Sequence, residues 1–164
     1  MPGRTRLSRV VHKFDRFPDG LKHILITWAF GGTVPFVRTA GLKFEALTEE
    51  RAVLTIRNRR KVQNHIGTLH AAAVALLGET ATGAVFGMSV PDDKLPLLKN
   101  MRIAYTRRSK GALRAEATLS AEMRERFWIE EKGEIVVPVK ITDETGETTV
   151  DAEFVWAWRP KKKP

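Results

Sequence analysis

Apolar residues recur along this chain with two different periods, and the change between them outlines the fold. Leu7, Val10, Val11 and Phe14 have helical spacing, which predicts a helix over 5–17 with one stripe packed on the main body. A second helix is expected over 19–30, after the Pro18-Asp19-Gly20 turn. From residue 42 the period becomes two. Lys43-Phe44-Glu45-Ala46-Leu47 alternates, and Ala52, Leu54 and Ile56 oppose Val53 and Thr55 in the next strand. The stretch Leu69 to Leu77 then turns apolar on every side, which is the signature of a covered helix. Four more strands are expected at about 98–108, 112–121, 133–142 and 148–158. Leu113, Ala115, Ala117, Leu119 and Ala121 share one face, as do Val150, Ala152, Phe154, Trp156 and Trp158. Between the last two strands, Asp143-Glu144-Thr145-Gly146-Glu147 suits a hairpin with Gly146 in the left-handed region. Pro138 belongs at an edge or a bulge.

About six strands and one helix without a polar face have a natural solution. A curved antiparallel sheet wraps around the helix, and a second copy of the chain covers what the sheet leaves open. That α+β arrangement is the hotdog fold. The expected organisation is a helical extension over 1–40, a hotdog domain over 41–158 and a basic tail over 159–164.

Composition changes this picture little. At 164 residues, 43% hydrophobic and 29% charged, the chain suits one globular domain. The absence of cysteine excludes disulfides and thiolate metal sites. The N-terminus has no apolar leader segment, and the run from Ile24 to Val37 is too short and too broken by glycine and proline to span a bilayer. A cytoplasmic protein is the expectation. The net charge of +9 sits in the tails: eight of the 28 basic residues lie in 1–13 and 159–164, leaving 20 against 19 acidic residues between. Nucleic acid and membrane partners would rest on those tails alone and are not expected.

The chemistry concentrates at the start of the covered helix. Asn64-His65-Ile66-Gly67-Thr68-Leu69-His70, with Glu79 farther along, places polar groups where a core helix has no structural use for them. This segment resembles the hotdog acyl-CoA thioesterases of the phenylacetate-pathway type, closest to a thioesterase-like branch in which Asn-His opens the motif and His-Ala replaces His-Gly-Gly. The resemblance covers about residues 40–158, including Ile103-Ala104-Tyr105 and Arg108-Ser109-Lys110-Gly111. It implies that Glu79 is the helix carboxylate, acting as general base or nucleophile, and that the Ala71 N–H holds the oxyanion. Physically, Thr68 suits the N-cap, and the free amides of the first turn and the helix dipole favour a developing negative charge. Asn64 would orient the carbonyl or the water, His70 would orient the loop or bond the substrate, and Gly67 and His65 would lie on the substrate side. Each has a plainer reading. Glu79 could pair with an arginine, His70 and His65 could be structural, and Asn64 could serve the turn. Apolar surroundings would push the Glu79 pKa upward. The family's usual strand hydroxyl is missing from Leu97-Leu98-Lys99-Asn100, where Asn100 is the nearest polar group.

Phosphates of CoA require cations. Lys99, Arg102, Arg107, Arg108 and Lys110 form one acid-free segment, and Arg57, Arg59, Arg60 and Lys61 another. The resemblance favours Arg107, Arg108 and Lys110 as substrate-binding. No metal-ligand spacing and no phosphate loop is present, so no metal and no cofactor beyond substrate CoA is expected. The expected activity is hydrolysis of acyl-CoA or an acyl-carrier thioester. A non-catalytic acyl-CoA binder and a hydratase or dehydratase are the rivals, the latter disfavoured by the lack of a Pro-Gly-Val helix start. A homodimer, possibly a dimer of dimers, is expected to share its sites. His70 and Glu79 are nine residues apart, roughly 13 Å along a helix axis, and one chain cannot easily bring both to one carbonyl.

Overall fold

The computed structural model describes residues 3–162. Seven antiparallel strands form one open, mixed-length sheet: β1 (Lys43–Leu47), β2 (Arg51–Ile56), β3 (Lys94–Tyr105), β4 (Leu113–Thr118), β5 (Gly133–Val136), β6 (Val139–Asp143) and β7 (Thr148–Pro160). Their order is β1-β2-β4-β6-β7-β3, with β5 also paired to β7. The expected hotdog fold is present, with seven strands rather than six. Pro138 makes the difference. It has no N–H to give a ladder, so the predicted strand over 133–142 breaks at Val137-Pro138. β5 lies along the second half of β7, where Val136 faces Val155, and β6 along the first, where Ile141 faces Val150.

The covered helix, α4 (Ala71–Ser89), crosses the concave face of this sheet. Small residues let it approach closely. A Cβ on Gly78 would stand 2.4 Å from Phe154 and 3.3 Å from Ile141, and one on Gly83 would stand 2.7 Å from Trp156. The Trp156 indole N–H donates to Thr82 Oγ1 at 2.9 Å, which satisfies a buried hydroxyl between helix and sheet. By length and composition α4 would also suit a membrane span, but here it is the core helix, with Leu77, Ala81, Val85 and Phe86 fully buried.

Among the described residues, the N-terminal region holds three α-helices rather than two, α1 (Arg6–His12), α2 (Asp19–Thr33) and α3 (Pro35–Ala40), with a 3-10 turn over Lys13–Arg16 after the first. Thr5 caps α1 by accepting the Ser8 N–H, and its hydroxyl donates to the Met88 carbonyl in the last turn of α4. The extension is thereby tied to an otherwise unpaired helix end. α2 buries Ile26 and rests Phe30 on Phe44 of β1, ring centroids 4.5 Å apart. Pro35 begins α3 at a position that tolerates proline, and Gly41, at φ 75°, ends it.

The strand predicted over 112–121 stops at Thr118, and a fifth helix, α5 (Ala121–Ile129), follows. Ser120 accepts the Met123 N–H and starts α5, although Leu119 and Ala121 continue the alternation of the strand. Phe127 anchors the helix edge-on to Phe86 and Trp158, both 5.0 Å away between centroids. Of the basic tail, Arg159 and Pro160 still belong to β7, and the Lys161 ammonium donates to the Asp92 carbonyl. Residues 163 and 164 of that tail lie outside the described residues.

Candidate active site

The loop before α4 is built around one side chain. Asn64 Oδ1 accepts the N–H groups of Ile66 and Thr68, both at 3.1 Å, and its amide donates to Thr68 Oγ1 at 2.7 Å. Gly67 takes φ 77° at the tip of this turn, a conformation that favours glycine. Thr68 lies two residues before the N-cap position, with its hydroxyl held by the Asn64 amide, and does not cap the helix. The cap is His70, whose Nδ1 accepts the Ala72 N–H at 3.1 Å. The His70 N–H is itself held by the Val62 carbonyl at 2.8 Å. Because Nδ1 accepts, the neutral ring carries its hydrogen on Nε2, leaving a donor that faces away from the cap. His65 and Ile66 stand exposed at the turn.

Two details at the first turn bear on chemistry. Ala71 is an exposed residue, and its N–H has no hydrogen-bond partner among the described residues. The Ala71 carbonyl accepts the hydroxyl of Tyr105 at 2.9 Å. No motif in the sequence marks Tyr105 for the site, although it is the only tyrosine in the chain and ends β3. Burial against the loop raises its pKa above the usual phenol value.

Glu79 lies two turns along α4. Ala71, Ala75 and Glu79, spaced by four, all escape burial on a helix whose other faces are largely covered. The Glu79 carboxylate meets no cation and no donor among the described residues, so the arginine pairing expected as its plain alternative is absent there. β3, which also packs on α4, is one of the two edge strands of the sheet. Met101 pairs opposite Phe154, which faces Gly78 of α4, so Met101, Ile103 and Tyr105 share the helix side. Met101 is 42% and Tyr105 50% exposed there, an apolar ledge with nothing over it in the single chain. Asn100 pairs opposite Val155, one step out of that face, and points away from the helix. It therefore does not replace the missing strand hydroxyl.

The basic segment after β3 is less free than its sequence suggests. Arg107 pairs with Glu147 at 3.0 Å, the Lys110 N–H donates to Asp143, and the Ala112 N–H donates to Glu144. Hydrogen bonds from Thr145 and from the Lys110 amide hold the Asp143 carboxyl down at about 2. Acids of the β6–β7 hairpin thus meet the acid-free segment in space. Arg108 reaches the motif loop, donating to the Ile66 carbonyl at 3.3 Å. No cluster of three metal-ligating side chains occurs among the described residues.

Residues 22–158 match the model of a domain of unknown function, DUF4442. A solved protein of unknown function from Pseudomonas aeruginosa, described as a probable thioesterase, superposes with a TM-score of 0.74 at 29% identity, covering 88% of this chain and 97% of its own. A putative thioesterase from Shewanella oneidensis gives a TM-score of 0.71 at 11% identity, covering 84% and 97%. A thioesterase from Haemophilus influenzae gives 0.63 at 16% identity, covering 76% and 82%. The last two likenesses establish the fold alone. No curated protein matches the sequence significantly.

Proposed function

We propose that this chain, which belongs to the DUF4442 family, hydrolyses acyl-CoA or a related acyl thioester. The observation that carries the proposal is the unpartnered N–H of exposed Ala71 at the start of α4. A thioester carbonyl oxygen accepting from it sits at the positive end of the helix dipole, where negative charge is stabilised as it develops. The likeness to a protein described as a probable thioesterase supports the same reaction class.

In the proposed reaction a water oxygen adds to the carbonyl carbon while Glu79 takes its proton. The tetrahedral intermediate collapses by breaking the carbon–sulfur bond, and the proton passes to the leaving thiolate. The His70 Nε2–H and Arg108, both beside the motif loop, are the donors for the substrate's carbonyl and amide groups. Asn64 acts by holding the loop in the shape that exposes the Ala71 amide. In one chain that amide and Glu79 are separated by eight residues, about 12 Å along the axis. The proposed site is therefore shared in a homodimer, with Glu79 of the partner subunit approaching the amide. The open ledge of Met101 and Tyr105 on edge strand β3 supports such a contact, because it is apolar and unpaired.

Purified protein should release free thiol from at least one member of an acyl-CoA panel. Glu79→Gln should lower the rate about a hundredfold or more, the scale of losing a general base. Mixing Glu79→Gln with Asn64→Ala/His70→Ala under subunit exchange should restore roughly a quarter of wild-type activity, since a hybrid dimer holds one intact site. Exchange without recovery would refute the shared site. Tight acyl-CoA binding with no turnover would favour a binding protein, a reading to which the outward-facing Asn100 lends weight.

A further inference from the structure

We infer that the N-terminal helices and the segment after β2 form a binding site for the nucleotide end of CoA, an inference that rests on the thioesterase reading above. A cavity of about 640 Å³ opens between α2, α3 and the start of β1, and its lining includes Trp28, Arg38, Lys43, Arg59 and Lys61. Four cations meet there without one acidic side chain, and none of them forms an ion pair among the described residues. The contrast with Arg107, neutralised by Glu147, is direct. A concentration of unpaired like charge repels itself and is relieved by an anion, above all by phosphate, which guanidinium forks match in geometry.

The cluster is held in place by the backbone. A Cβ on Gly31 would lie 3.1 Å from Arg38 Cβ, so α3 packs directly on α2 at that point and carries Arg38 to the rim. Gly41 has φ 75°, and a Cβ there would lie within 2.0 Å of an Arg59 guanidinium nitrogen. A side chain at 41 would shift the Arg59 guanidinium from this position. Trp28, 78% exposed, presents its ring on the same rim. A flat exposed indole beside cations is the combination that holds a base by stacking and its phosphates by charge.

Lys61 also borders a second, narrower groove of about 180 Å³, lined by Phe36, Val62, His70 and Ala72. Lys61 lines both cavities, so the cationic cavity neighbours the groove at the start of α4. A ligand with phosphates and a base at one end, a thin chain in the middle and a thioester at the other fits this sequence of surfaces. Its thioester end would then reach His70 and Ala72, the neighbours of the Ala71 amide.

The test measures binding of free CoA by calorimetry, so that it does not depend on turnover. Arg38→Ala/Arg59→Ala should weaken CoA binding about tenfold or more, the scale of losing a charge-assisted hydrogen bond. Trp28→Ala should weaken it as well. Lys161→Ala/Lys162→Ala, which removes the same charge from the tail, should not. Hydrolysis of an acyl-pantetheine thioester, which lacks the nucleotide, should be unchanged in Arg38→Ala/Arg59→Ala. Should that variant fail to fold, Lys43→Ala/Lys61→Ala reads the same affinity from exposed side chains. Unchanged CoA affinity in the cavity variants overturns the inference, and if thioester hydrolysis persists the proposed function stands without it. Wild-type protein that binds no CoA overturns it too, with acyl-pantetheine turnover then deciding the function separately. If phosphatidylglycerol vesicles, and not CoA, bind wild type and are lost by the double variant, the cavity takes a lipid headgroup and the inference falls.

Discussion

Replacing His70 separates what the residue does for the helix from what it does for a substrate. Its Nδ1 caps α4 by accepting the Ala72 N–H at 3.1 Å, and alanine would leave that amide to water. Loss of an N-cap costs about 0.5–2 kcal/mol. The site is exposed, so water replaces part of the bond and about 1 kcal/mol is expected. For a domain of this size, that corresponds to a fall in Tm of about 2–4 °C. Serine supplies a good cap but no imidazole, so His70→Ser should recover the stability lost by His70→Ala. Urea unfolding of the three proteins, with m-values checked for equality, measures this part. Thioester turnover measures the other. If the Nε2–H bonds the substrate, His70→Ser should remain as slow as His70→Ala in kcat while matching wild type in Tm. Equal stability of wild type and His70→Ala would refute the capping argument. Full activity in His70→Ser would show that the imidazole serves the fold alone.

Further predictions rest on other contacts. Gly78→Ala should destabilise by about 1–2 kcal/mol, because a methyl group 2.4 Å from fully buried Phe154 overpacks the core by more than the helix-propensity gain of about 1 kcal/mol. Gly87→Ala meets only the end of Leu7 at 3.3 Å and should be neutral or up to about 1 kcal/mol stabilising; reversed order in chemical denaturation would refute the packing argument. Tyr105→Phe should lose about 0.5–1.5 kcal/mol with its bond to the Ala71 carbonyl and should raise KM or lower kcat by loosening the first turn, and unchanged stability and kinetics would refute both effects. His12 lies between Asp15 at 2.6 Å and Glu49 at 2.8 Å, and its bonds to those carboxylates raise its pKa above 6.5. Its stabilising contribution should therefore be complete below about pH 6.5 and fade as pH rises through the higher folded-state value. The Tm difference between wild type and His12→Gln should shrink accordingly, and a difference constant to pH 9 would refute the linkage.

Much of the framework was legible from local pattern. The apolar run in α4 demanded cover on all sides, and the alternations in β2, β4 and β7 named the faces that supply it. Gly146 takes φ 80°, the left-handed position its hairpin predicts, because that conformation is a property of the local backbone itself. Where local signals compete, tertiary partners decided. Ala121 continues the period of β4, yet Ser120 starts a helix there because Phe127 finds a pocket between Phe86 and Trp158. Thr68 is a good cap by composition, but Asn64 ties it into the preceding turn, the helix starts only at Ala71, and His70 is the cap. Charge depends still more on long-range placement. Arg107 to Lys110 carry no acid nearby in sequence, but the β6–β7 hairpin brings Asp143, Glu144 and Glu147 against them. Arg38, Lys43, Arg59 and Lys61 come from three separate segments and gather in one cavity. Hydrophobic periodicity is a property of neighbours along the chain and survives in the sequence. Electrostatic and hydrogen-bond partners are neighbours in space, and only the folded chain determines them.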